Sequence, residues 1–384
     1  MNNNDFNSQN RDGQKEEIRF DDIDFDNPYS RHYRRKNYND FGADFKVNEE
    51  PSYSYAPFID EENEKRHFSK IGLGYALFTA ISFAVSFIIQ IIVFLVNPEF
   101  YESTLFLNIV TPISLYLFAL PVLLIILSQC EAKSPEKKKM SFGAFMLFLI
   151  TAFGFMYIGA IIGDYVMELI SLAVGYDYSN GLENIIDNNN LWITAIFTVV
   201  VAPIGEEFVF RKLIIDRTQK YGGFISIGLS GLVFGLMHGN LYQFFYCFLL
   251  GLLLGYIYYT TGKLYITIAI HAIVNFVGSV VSSLLAPVSD ALDAIDPDDV
   301  DALMEFITEN VGHIIGLLAF SLFIYAAMAC AVIFPIVFRK KLRLGRGEVI
   351  IPGSKIVPVV ILNGGIIAMI ILYLLEFGLN LLPL

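Results

Sequence analysis

The chain has 384 residues, of which 55% are hydrophobic and only 17% charged, with 38 acidic against 26 basic side chains and a formal net charge of −12. A soluble globular chain carries roughly 25% charge, so a soluble enzyme and a secreted disulfide scaffold are poor readings. The acidic balance also argues against nucleic acid, whose phosphates need a basic face. The three cysteines, Cys130, Cys247 and Cys330, form no CxxC pair, so the sequence indicates neither a disulfide framework nor a thiolate metal site.

The charge is unevenly placed. Residues 1–70 hold 16 acids and 11 bases, which is 27 of the 64 charged side chains. This segment reads as a polar, disordered cytoplasmic tail. It has no signal-peptide core, and neither terminus carries a lipidation motif. Its cluster Arg31, Arg34, Arg35 and Lys36 suits either anionic lipid or a solvated linker. A membrane-crossing helix needs about 20 apolar residues. On that measure the rest of the chain is an all-α, polytopic helical membrane domain with nine predicted spans: 71–96, 104–129, 142–165, 191–211, 223–240, 242–261, 264–285, 313–338 and 355–382. The third run stays apolar to Val174 and continues as an interfacial segment. The expected organisation is an N-terminal group of helices over 71–174, a core over 190–285 and two further helices over 313–384.

Lys and Arg cluster before the first span and after the second, fourth, sixth and eighth. Loops 97–103, 175–190 and 286–312 contain none, and the last of these carries eight acids. Positive charge marks the cytoplasmic side, so the expected topology in the cell membrane is N-terminus inside and C-terminus outside. The pairs Gly159/Gly163, Gly231/Gly235 and Gly251/Gly255 are spaced for close helix packing.

Ionisable residues inside a span cost about 2.5–3.5 kcal/mol each on insertion scales. Here they concentrate in three spans. The fourth contains Pro203, Gly205, Glu206, Glu207 and Arg211; the fifth contains Phe234 and His238; the seventh contains His271 and Asn275. Glu207 and Arg211 share a helix face and can pair. Glu206, about 100° away, points elsewhere. Phe234 lies one turn before His238, and His271 shares a face with Asn275. Pro203 and Gly205 loosen the helix just before the acids, which suits a cavity wall. A carboxylate and two histidines converging in a cavity suggest water activation. In one mechanism Glu206 and His238 activate water directly while His271 and Asn275 hold the oxyanion. In the other, Glu206, His238 and His271 bind a divalent metal such as zinc. The compact HExxH zinc signature is absent.

The series EExxxR, FxxxH and HxxxN resembles the CPBP family, which includes type 2 CAAX prenyl proteases, bacteriocin-processing and self-immunity proteins, and proteins similar to lysostaphin resistance protein A. The resemblance covers residues 190–285, about a quarter of the chain. It implies an intramembrane endopeptidase of glutamate or metal type. Glu206 falls on the family's catalytic glutamate, His238 on its water-activating histidine, His271 and Asn275 on its third motif, and Glu207 and Arg211 on its supporting pair. Lys212 stands where Gly is frequent. The Asn-, Asp- and Ile-rich usage looks like that of an AT-rich bacterium, so the expected substrate is a membrane protein or peptide without a prenyl group. A non-catalytic scaffold or self-immunity protein on the same fold and a proton-coupled transporter are the alternatives. One expectation conflicts with a shared site: straight-helix counting places Glu206 and His271 about 10 Å from the inner face and His238 over 20 Å from it.

Overall fold

The computed structural model describes residues 17–18, 59–176, 178, 191–296, 298–342, 344–345 and 347–382. The basic cluster at Arg31–Lys36 and most of the predicted tail lie outside them. The chain is a bundle of apolar helices: α1 (Glu61–Val96), α2 (Thr104–Leu127), α3 (Phe142–Val174), α4 (Leu191–Tyr221), α5 (Gly223–Leu236), α6 (Leu241–Thr261) and α7 (Leu264–Leu292). An amphipathic helix α8 (Val300–Glu309) follows, then α9 (Val311–Val337), and then α10 (Gly353–Ile361) and α11 (Gly364–Asn380). Among the described residues, the only strand pairing is a two-residue parallel match of Glu17–Ile18 with Lys139–Met140.

Every predicted apolar run is helical, but the span count changes. Among the described residues, seven helices are long and apolar enough to cross a membrane, and the α10–α11 pair, bent by 68°, makes an eighth if it counts as one span. The fifth run, α5, has 14 residues and a length of about 21 Å, short of a 30 Å hydrocarbon core. The tail boundary also moves. Asp60 accepts a hydrogen bond from the Asn63 amide and three glutamates fill the first turn, so α1 starts ten residues before the predicted span. The third run is one helix to Val174, ended by Gly175 in the left-handed region rather than by an interfacial break.

Large apolar side chains such as Phe87, Leu95, Leu172 and Leu322 point outward, as lipid contact requires. With lipid as apolar as the side chains, association depends on close packing and interhelical hydrogen bonds. A Cβ on Gly159 would lie 2.3 Å from the Tyr246 Cα, so this glycine sets the approach of α3 to α6. Gly251 faces the Cα of Gly231 in the same way, joining α6 to α5. The glycine pairs therefore do the packing work their spacing implied.

At the lysine-rich end, Asp216 of α4 gathers a polar clamp. Its carboxylate accepts from Tyr258 (2.8 Å), Ser134 (2.6 Å) and Lys212 (2.9 Å), while its carbonyl accepts from the Lys133 amide. The 131–139 segment is thereby fixed across the ends of α4 and α6.

Candidate active site

The fourth predicted span ended at residue 211, but α4 runs on to Tyr221 and turns at Gly222, whose φ of +93° suits glycine. Helix α5 then returns antiparallel. Glu206 and His238 are each sixteen residues from Gly222, so the hairpin brings them level, about 22–24 Å from its tip. The depth conflict arose from ending α4 one helix-length of ten residues too soon. His271 lies only seven residues into α7, so the α4–α5 tip projects further than the α6–α7 turn.

Helix α4 is irregular where it carries the acids. Wide π-type turns at Ile196–Val201 and Glu207–Lys212 flank Pro203. Such turns release backbone carbonyls, which must be satisfied in an apolar medium. Three neighbouring helices supply the donors. Asn275 of α7 donates to the Thr198 carbonyl (2.9 Å), Tyr75 of α1 to Val209, and Ser230 of α5 to Phe210 (2.8 Å). The loosening expected from Pro203 and Gly205 is present on both sides of the acids.

Glu207 and Arg211 are fully buried and paired, with Arg211 Nε donating to Glu207 Oε2 at 3.1 Å. The guanidinium lies 4.3 Å from the Phe234 ring centroid and also reaches Ser230. One guanidinium nitrogen has no hydrogen-bond acceptor among the described residues; the ring face offers a cation–π contact instead. His271 Nδ1–H donates to the other Glu207 oxygen at 3.0 Å. A carboxylate accepts only, so this bond fixes the tautomer and leaves Nε2 facing Glu206 Oε2 at 3.7 Å. That gap is too long for a direct hydrogen bond and fits a bridging water. His238 is oriented in the same manner: Nδ1–H donates to the Phe234 carbonyl at 2.8 Å, leaving Nε2 bare. Phe234 meets both imidazoles edge-on, at 5.0 Å from His238 and 5.7 Å from His271.

Glu206 thus lacks Arg211 as a partner and keeps about a fifth of its side chain exposed. Its charge bears on His238, Tyr116, Tyr246 and Cys247. The cluster gathers Glu206, Glu207, Arg211, Phe234, His238 and His271. Asn275 is held at the cluster's edge, one amide hydrogen engaged by Thr198. Among the described residues, no group of three His, Cys, Asp or Glu side chains is arranged to hold a metal ion. Glu206, His238 and His271 form no such group as placed, while His271, with Nδ1–H donated to Glu207, presents Nε2 as a metal-ligating histidine does.

Sequence reasoning missed Tyr116. Its phenol covers Gly205 so closely that a Cβ there would lie 2.3 Å from the hydroxyl oxygen. The glycine immediately before the acids was the available signal: it marks a position over which another group passes.

Fold and site together define a multi-pass helical membrane protein with a buried glutamate–histidine centre. Residues 188–277 match the family described as Type II CAAX prenyl endopeptidase Rce1-like. The curated "Putative membrane peptidase YdiL" of Bacillus subtilis (strain 168) is 30% identical over 99 residues, 26% of this chain and 40% of that protein. The chain thus matches less than half the length of that relative. No solved structure matches. The matched segment, residues 188–277, contains the three motifs that resemble the CPBP family.

Proposed function

We propose that the protein is an intramembrane endopeptidase in which Glu206 and His238 activate water without a metal. The observation that carries this reading is the bond between His271 and Glu207. It turns His271 Nε2 towards Glu206 Oε2, 3.7 Å away, while a separate bond from His238 Nδ1 to the Phe234 carbonyl leaves that ring's Nε2 free. Water bound between Glu206 and His238 Nε2 loses a proton to the carboxylate as its oxygen bonds to the scissile carbonyl carbon. The tetrahedral oxyanion is held by the remaining Asn275 amide hydrogen and the Tyr116 hydroxyl. Collapse breaks the C–N bond, and the proton on Glu206 passes to the leaving amine. Glu207 and Arg211 act through His271, holding its ring in place. The substrate is a membrane protein or membrane-associated peptide, and the lysine-rich helix ends face the cytoplasm.

The test is peptide release by purified protein in lipid nanodiscs, using a mixed membrane-peptide library, with and without a strong zinc chelator. Wild type is expected to cleave in both conditions and Glu206→Gln in neither. Loss of the wild-type activity on chelation overturns the metal-free mechanism. Cleavage by Glu206→Gln overturns the assignment of the base.

A further inference from the structure

The last helix lies outside the family-matched segment, yet its final turns dock on the residues that follow His238. The Asn380 amide donates to the Gly239 carbonyl at 2.7 Å, and Phe377 meets Phe244 edge-on. Tyr178 donates its hydroxyl to the Leu381 carbonyl at 2.9 Å, while its own carbonyl accepts from Tyr242 at 2.6 Å. Between these anchors lies Glu376. Its Oε1 fills the space that a side chain at residue 239 would need, since a Cβ there would lie 2.0 Å away, and Gly239 has φ +69°. Its Oε2 is shielded from solvent and has no hydrogen-bond partner among the described residues.

A shielded carboxyl is costly to ionise unless a positive charge meets it. We propose that Glu376 is a subsite for a positively charged group of the substrate, a Lys or Arg side chain or a terminal ammonium, placed beside His238 by α11. That the ligand is a peptide rests on the peptidase reading. The surroundings favour a cation. Asn380, Phe377 and Leu381 hold the end of α11 against the His238 turn and the Tyr178 segment. Loops 175–190 and 286–312 contain no Lys or Arg, and the latter carries eight acids. The first of these reaches the same turn through Tyr178. Loop 175–190 therefore offers no Lys or Arg of its own to this turn.

The experiment measures binding, so it does not require cleavage. Two Leu/Ala helical peptides, identical except for a central Lys or norleucine, are titrated into full-length Glu206→Gln protein in nanodiscs, with and without Glu376→Gln. The Lys peptide is expected to bind at least about tenfold more tightly, and Glu376→Gln is expected to bring the two within about twofold. Equal binding of the two peptides by the protein that keeps Glu376 overturns the proposal, and this arm does not depend on how the variant folds. A Lys preference that survives Glu376→Gln also overturns it. Failure of the peptidase reading looks different: wild type releases no product while the Lys preference stands.

Discussion

Arg211 is the side chain on which most of the buried polar structure converges. It neutralises Glu207, reaches Ser230 and lies over Phe234. Removing one partner of a buried ion pair leaves an uncompensated charge and costs about 3–5 kcal/mol, whereas removing both costs less. Arg211→Leu is therefore expected to lower the thermal unfolding midpoint in detergent by more than the double variant Glu207→Gln/Arg211→Leu. Equal destabilisation would mean that the guanidinium acts through packing alone. The Glu207–Arg211 pairing and the Phe234–His238 contact were both legible in the sequence, because four-residue spacing within one helix dictates them. The His271–Glu207 bond was not. It joins two helices, and which faces of α4 and α7 meet is decided by lateral packing that periodicity does not encode. Glu376 escaped for a related reason: a single acid in the last apolar run carries no motif, and only the docking of α11 on Gly239 gives it neighbours.

At the scale of elements, α4 and α5 act as one hairpin whose length sets the level of the site. The apolar pattern located both helices but not their ends. Residues 212–221 include Lys212, Asp216, Arg217 and Lys220, a charge density that reads as loop. They stay helical because Asp216 is satisfied by Tyr258 and Ser134, and Arg217 by the Leu127 and Leu213 carbonyls. Lateral packing is equally specific. Gly159→Ala places a methyl 2.3 Å from the Tyr246 backbone, whereas Gly143→Ala in the same helix meets nothing within 4 Å. Overpacking typically costs about 1–3 kcal/mol. The first substitution is expected to destabilise the bundle by that order and the second to leave the unfolding midpoint unchanged, as read by thermal melts of the two variants side by side. If both behave alike, α3 and α6 are not held at this approach.

For the whole molecule, the distribution of positive charge argues one orientation. Lys133, Lys137, Lys138, Lys139, Lys212, Arg217 and Lys220 gather at the end where α4 meets α5, and seven acids lie between α7 and α9. With native cysteines replaced, a cysteine introduced at Lys137 is expected to react with a membrane-impermeant thiol reagent only in inverted vesicles, and one at Asp298 only in intact cells. The reverse pattern would overturn the assigned topology. The count of spans was less legible than their positions. Nine apolar runs are present, but α5 is too short to cross, and the final run breaks into α10 and α11 at a 68° bend. Hydropathy registers apolar length and is blind to a bend between two short helices.

The carbonyls freed by the wide turns of α4 bear on how this protein could be recombined or dissected. Tyr75, which satisfies Val209, belongs to α1 and lies more than a hundred residues before the family-matched segment. Residues 188–277 are thus a recognisable stretch of sequence without being a self-sufficient folding module. A chimera that grafts this stretch onto another membrane protein must also import a hydroxyl at the height of Tyr75. Lacking it, the graft would carry a bare carbonyl in hydrocarbon three residues from Glu206.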